Sequence, residues 1–153
     1  MSEQPWSDDP VPTGRIVVVT DNPIARAILG IADTVGRSAL LLSDDPMAWI
    51  AENSLGAADS LVLCDHDEPD AVAMLTTALA GGAGYVAMMG SRRRAATLFA
   101  DLETYVDEQN LARLHVPAGL NIGGRSPGDI ALSVMAELVA VSHGRSGGPM
   151  RTA

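Results

Sequence analysis

Short runs of aliphatic residues alternate with helical patterns from Arg15 to Val141, and few folds accept that alternation. Arg15–Thr20 is a continuous β-branched run, the mark of a strand covered on both faces. Asp21 or Asn22 can cap the helix that Pro23 opens, whose apolar residues Ile24, Ala27, Ile28 and Ile31 recur at helical spacing before Gly36 stops it. The same rhythm predicts a strand over Ser38–Leu42, a short helix over Pro46–Asn53, a strand over Ser60–Cys64 and a helix over Ala71–Ala80. A fourth strand follows at Gly84–Met89, then a long helix over Ser91–Glu108 and a fifth strand within His115–Ile122. Ser126, Pro127 and Asp129 form a near capping box that opens the closing helix, Ile130–Val141. The expectation is an α/β fold: a three-layer, doubly wound parallel sheet built from right-handed βαβ crossovers, in strand order 3-2-1-4-5. Ligands in such sheets sit beyond the carboxyl ends of the strands, so the turns to search are Thr20–Pro23, Ser43–Pro46, Asp65–Glu68, Gly90–Arg94 and Pro117–Arg125.

Composition narrows the function. The chain has 153 residues and a formal charge of -9, which disfavours a nucleic-acid or anionic-membrane surface. Its apolar runs are too short to span a bilayer. Cys64 is the sole cysteine, so no intramolecular disulfide can form. No signal peptide is evident, and a cytoplasmic address is expected. Residues 1–13 and the Gly-rich residues 144–153 read as flexible tails around one domain, residues 14–143. No Ser-His-Asp order, P-loop or paired-carboxylate motif is visible. His66, His115 and His143 lack metal-ligand spacing, and no metal site is expected. A strand cysteine such as Cys64 is more often a small buried hydrophobe than a ligand.

Two segments carry candidate chemistry. Gly90, Ser91, Arg92 and Arg93 follow a strand and open a helix, where free N–H groups and guanidinium donors suit a phosphate. A solvated helix start with surface arginines is the plainer alternative. In the segment Pro117–Gly124, the glycines Gly119, Gly123 and Gly124 surround Leu120, Asn121 and Ile122. This is either a ligand loop or a tight connection that needs positive φ.

Taken together, YVAMMGSRRR and LARLHVPAGLNIGGRSPGDIALSVMAELVAV resemble the C-terminal Rossmann-type domain of the XdhC family, the maturation factors of molybdenum hydroxylases. The matching positions are Tyr85-Val86, Gly90 to Arg93, His115, Pro117, Gly119, Leu120, Ile122, Gly123, Pro127, Ile130, Ser133 and Ala136-Glu137. Upstream, His66-Asp67 matches the family's His-Asp pair, and the resemblance runs over residues 15 to 143. It implies a Rossmann-like chaperone for xanthine or carbon monoxide dehydrogenase. Such a protein binds the molybdenum cofactor (molybdopterin), passes it to the apo-enzyme and acts as a homodimer. By that resemblance the cofactor-binding candidates are Gly90, Ser91, Arg92, Arg93, Gly119, Asn121, Gly123, His66, Asp67, Asp44 and Asn22.

Three departures qualify it. The family's N-terminal domain, with its cysteine chemistry, has no counterpart in the sequence, so a separate chain is expected to supply it. The family's first turn reads Gly-Ala-Gly-His, whereas this chain has Thr20-Asp21-Asn22-Pro23, which blocks close pyrophosphate approach and sets a negative charge there. The second strand of the family ends in an acid followed by Asp-Arg-Pro. Here Ser43, Asp44, Asp45 and Pro46 stand in those places, with Asp44 nearest the lost acid. An accessory role is therefore expected rather than catalysis. An NAD(P)-dependent oxidoreductase and a domain kept only for dimerisation are the rival readings.

Overall fold

Strand β1 (Arg15–Val19) lies between β2 (Ser38–Leu42) and β3 (Ser60–Leu63), and the sheet continues through β4 (Tyr85–Met88) to β5 (Leu114–His115). Every pairing is parallel. The computed structural model describes residues 6, 7, 10 and 14–153, so the expected N-terminal tail falls almost wholly outside the described residues. Helices cover both faces: α1 (Pro23–Thr34) and α6 (Pro127–Ser142) on one, α2 (Pro46–Glu52), α3 (Ala71–Ala80) and α4 (Arg92–Leu102) on the other. The side-chain period of two assigns Ile16 and Val18 to the first layer and Val17 and Val19 to the second. A three-layer, doubly wound α/β fold is thus what the sequence forms.

The strand order is 2-1-3-4-5, not 3-2-1-4-5. Burial explains the difference. All of β3 is buried while Ser38 at the start of β2 is exposed, so β3 takes an interior place and β2 the edge. Asp59, just ahead of β3, accepts from the Arg15 backbone N–H at 2.9 Å and pairs with its guanidinium at 3.2 Å, which ties β1 to β3. The turn before β3 is also gripped from both sides. A Cβ on Gly14 would sit 1.5 Å from the Ala58 carbonyl oxygen, and one on Gly84 would sit 2.1 Å from that of Ala57. Only residues without a Cβ let the starts of β1 and β4 approach so closely.

Two further expectations change. The helix expected over Ser91–Glu108 ends at Leu102, and a separate short helix, α5 (Glu108–Leu111), follows. Asp107 is the cause, because its side chain accepts from the Asn110 N–H at 2.7 Å and caps the new helix. Val106 stays buried, as its place on the apolar stripe implied. The fifth strand stops at His115 rather than extending toward Ile122. Pro117 has no N–H to give the ladder, and beyond it Gly119 (φ +103°) turns the chain onto α6, where the Leu120 N–H donates to the Ser133 carbonyl.

Candidate functional site

Beyond the carboxyl ends of β4 and β5 lies a cavity of about 420 Å³, within the range of small-molecule sites of about 300–1,000 Å³. Its walls are largely apolar: Ile24 from α1, Met89 after β4, Leu120 and Ile122 from the loop, and Ile130 from α6. Gly90, Asn121, Gly123, Gly124, Arg125 and Ser133 complete it. Of the expected cofactor-binding residues, the structure therefore brings Gly90, Asn121 and Gly123 together. The glycines differ in role. Gly119 and Gly124 are packing residues, because a Cβ would lie 2.2 Å from Ser133 Oγ and 2.3 Å from Asp129 Oδ2. Gly123 has φ +88° with open space around it. Gly90 has neither positive φ nor a close neighbour, and a Cβ would rest 3.5 Å from the Arg94 side chain.

A polar cluster beneath the cavity holds the loop in place. Glu137 Oε1 accepts from Tyr85 Oη at 2.6 Å and from the Gly119 N–H at 3.1 Å, and it lies 3.4 Å from His115 Nδ1. The Tyr85 and His115 rings stack with centroids 4.9 Å apart. Burial pushes the Glu137 carboxyl upward, but donors from His115, Tyr85 and Gly119 outweigh it and leave the group below its ordinary value. Burial and the Glu137 hydrogen bond drive the Tyr85 phenol well above its ordinary range. Sequence reasoning placed Tyr85, His115 and Glu137 in the family signature without giving them work. The signal was there: a tyrosine on a buried strand and an acid on the inner face of a helix need partners.

The remaining candidates lie outside the cavity wall. Ser91 caps α4 by accepting from the Arg94 N–H, and Arg92 and Arg93 are exposed on its first turn. Arg94 donates to the His66 carbonyl at 3.2 Å. Asn22 caps α1 and donates to the Cys64 carbonyl at 3.0 Å, which joins the first turn to the end of β3. Asp44 is exposed. His66 and Asp67 are exposed too, and ligand atoms of Asp65, His66 and Asp67 lie within 4.8 Å of one another. Exposed acidic groups of this kind are common without an ion. The Cys64 thiol is buried and its pKa is pushed up to about 12 by burial, so it behaves as a core residue.

With β3 between β1 and β4, the first and fourth turns are not neighbours, as the expected order had them. The switch point falls between β1 and β3. There Thr20, at φ +78°, holds a backbone conformation that favours glycine, with a β-branched side chain, and its hydroxyl donates to Glu68 at 3.0 Å. Asp21 pairs with Arg26 at 2.6 Å, and that guanidinium's hydrogen bond lowers its carboxyl pKa. The crevice is bridged by protein side chains.

Comparison with known proteins decides the family. The family model described as the XdhC Rossmann domain matches residues 16–138, most of the chain. The chain belongs to the XdhC Rossmann domain family. A protein from Escherichia coli (strain K12) described as uncharacterized protein YqeB is 40% identical over 67 residues, which are 43% of this chain and 12% of YqeB. A crystal structure from Bacillus halodurans, described as a xanthine dehydrogenase, superposes with a TM-score of 0.73 at 19% identity. That match covers 88% of this chain and 44% of the Bacillus chain, so this XdhC-type domain spans under half of its structural neighbour. The likeness shows the Rossmann-like fold. No helix among the described residues is long and apolar enough to cross a membrane.

Proposed function

We propose that this chain is a cytoplasmic accessory protein in the maturation of molybdenum hydroxylases, and that it binds the molybdenum cofactor in the cavity beyond β4 and β5. The observation that carries this reading is that the cavity is built by the segments of the XdhC signature, Gly90 and the loop Pro117–Arg125. The residues present fit the organic part of that cofactor. Apolar walls suit a ring system, and Asn121 and Arg125 offer polar contacts. They do not supply a metal ligand, since Cys64 is buried, protonated at neutral pH and absent from the wall. The metal's ligands would come from the cofactor itself and from other chains. An apo-enzyme of the molybdenum hydroxylase class is the proposed partner.

A homodimer is part of the same reading, supported by Ile122 and Leu132 on the loop and α6, which are 51% and 49% exposed. Light scattering across a concentration series tests it, and a monomer at all concentrations would remove it.

Titration with metal-free molybdopterin tests the cavity. Saturable binding is expected. A parent protein that binds no molybdopterin would refute the reading.

The bridged first turn, by contrast, argues against an NAD(P)-dependent oxidoreductase. A domain kept solely for dimerisation would bind neither ligand.

A further inference from the structure

At the amino edge of the sheet, opposite the cavity beyond β4 and β5, a second cavity of about 210 Å³ opens between the starts of β3 and β4 and the end of α6. Drug-sized ligands occupy about 300 Å³ or more, so this one suits a molecule of few atoms. Tyr85, Leu138 and Val141 give it an apolar wall, and two polar side chains in it are short of partners. Ser60 is 6% exposed, on the face of β3 that Val62 and Cys64 turn toward α1 and α6, and no described residue hydrogen-bonds to its hydroxyl. Among the described residues the side-chain polar atom that is both sealed and unpartnered is Thr76 Oγ1. The Ser60 hydroxyl therefore keeps an opening, and the cavity it lines is that opening. Arg37 is half-buried, forms no ion pair among the described residues, and is held below its ordinary pKa by burial. Its Nη2 donates to Ser142 Oγ at 3.2 Å, and Ser142 lines the same cavity, which fixes the guanidinium at the wall.

We propose that this second cavity binds a short-chain aliphatic carboxylate. The Arg37 guanidinium pairs with the carboxylate, the Ser60 hydroxyl donates to it, and the alkyl chain lies against Tyr85, Leu138 and Val141. A desolvated guanidinium without a counter-ion calls for an anion, and its planar fork matches a carboxylate. An inorganic anion would lose hydration against the apolar wall and gain nothing from it. Two features oppose an anion here, and both are compensated. Asp59 lines the cavity, but its oxygens already accept from the Arg15 and Gly56 N–H groups and from the Arg15 guanidinium. Helices α1 and α6 both end at this edge, where their dipoles are negative. Their last carbonyls, however, accept from the N–H groups of Val35, Gly36 and Arg37 and of His143, Gly144 and Arg145. The site lies at the edge away from the XdhC signature loop, so it stands or falls apart from the molybdopterin reading.

Amide NMR titrations with butyrate, butyramide and inorganic phosphate test the assignment. Butyrate should shift the Ser60, Gly84 and Ser142 amides saturably in the millimolar range. Butyramide, of the same size but uncharged, should bind at least tenfold more weakly, and phosphate should give no saturable shift at these amides. Arg37→Gln should lower the affinity for butyrate to that for butyramide, and Arg37→Lys should restore part of the difference. Ser60→Ala should weaken butyrate about threefold or more. That hydroxyl has no partner among the described residues, so thermal unfolding of the alanine variant should match the parent and show that the fold is intact. No saturable shift with butyrate, equal affinity for butyrate and butyramide, or undiminished binding by Arg37→Gln would each overturn the site. Phosphate that binds with the same dependence on Arg37 would overturn the carboxylate assignment, and undiminished binding by Ser60→Ala would overturn the part given to the hydroxyl.

Discussion

At position 20 the chain keeps the backbone of a glycine without the glycine. Threonine at φ +78° carries a strain of about 1–2 kcal/mol for a left-handed L-residue, and the Glu68 hydrogen bond offsets part of it. Alanine and glycine at this position both lose the hydroxyl, but only glycine relieves the strain, at an entropic cost of about 0.5–1 kcal/mol. Thr20→Gly should therefore be about 0.5–1 kcal/mol more stable than Thr20→Ala in urea unfolding. Equal stability, or a more stable alanine variant, would show that the turn is unstrained. A second residue, Glu137, makes acid stability legible. Its folded pKa lies below its ordinary value, so its contribution is complete above about pH 4.3 and is lost as pH falls through the folded value. At pH 7, Tyr85→Phe should cost about 1.5–3 kcal/mol, the range for a hydrogen bond to a charged group. The stability gap between the parent and Glu137→Gln should narrow below about pH 4.3. A gap that stays constant from neutral pH into that window would mean that the charged carboxylate is not the acceptor.

Elements formed where local chemistry alone decides them, and shifted where a distant contact decides. The helix over Ala71–Ala80 and the strand over Ser38–Leu42 were legible to the residue, because apolar periodicity and flanking turns are both local. The end of α4 was not: the apolar stripe continues through Val106, and only the Asp107 cap shows that the helix restarts. Strand order was hidden as well. Nothing in a run of apolar residues names its neighbour in the sheet, although two glycines did hold the information. Gly14 and Gly84 precede β1 and β4, and both press on the turn before β3, which places β3 between them. Gly84→Ala should therefore destabilise strongly, by about 2 kcal/mol or more, since a Cβ 2.1 Å from the Ala57 oxygen forces backbone to move. Gly90→Ala should leave stability within about 0.5 kcal/mol of the parent. Chemical denaturation of the two variants side by side checks the contrast, and equal losses would refute it. The candidate site was half legible for a related reason. Sequence motifs marked Gly90, Asn121 and Gly123, but a sequence cannot say which of its loop residues line a cavity.

Across the whole molecule, charge divides along the carboxyl edge of the sheet. The turns after β1, β2 and β3 carry Asp21, Asp44, Asp45, Asp65, Asp67 and Glu68, whereas the start of α4 and the loop after β5 carry Arg92, Arg93, Arg94 and Arg125, with Asp129 in the first turn of α6. With a net charge of -9 behind it, the β1–β3 half repels phosphate, and screening over about 8 Å at physiological salt keeps the two halves electrically distinct. Sterics agree with charge. A dinucleotide at the switch point needs its pyrophosphate close to the first turn, where the Thr20 side chain now stands and where Asn22 is tied to Cys64. NAD(P) should consequently bind no more tightly than about 1 mM, which corresponds to about 4.1 kcal/mol. Asp21→Gly should improve this little. It frees the Arg26 guanidinium but leaves the Thr20–Glu68 and Asn22–Cys64 bridges in place. The variant Thr20→Gly/Asp21→Gly/Asn22→Gly removes both bridges and the charge, and it should gain tenfold or more. Calorimetry with both nucleotides on the three proteins separates the causes. A low-micromolar dissociation constant for the parent would mean that the bridges open readily and that the switch point remains a nucleotide site. Weak binding rescued only in the triple variant would show that the first turn excludes dinucleotides, leaving the cavity beyond β4 and β5 as the site for an anionic ligand.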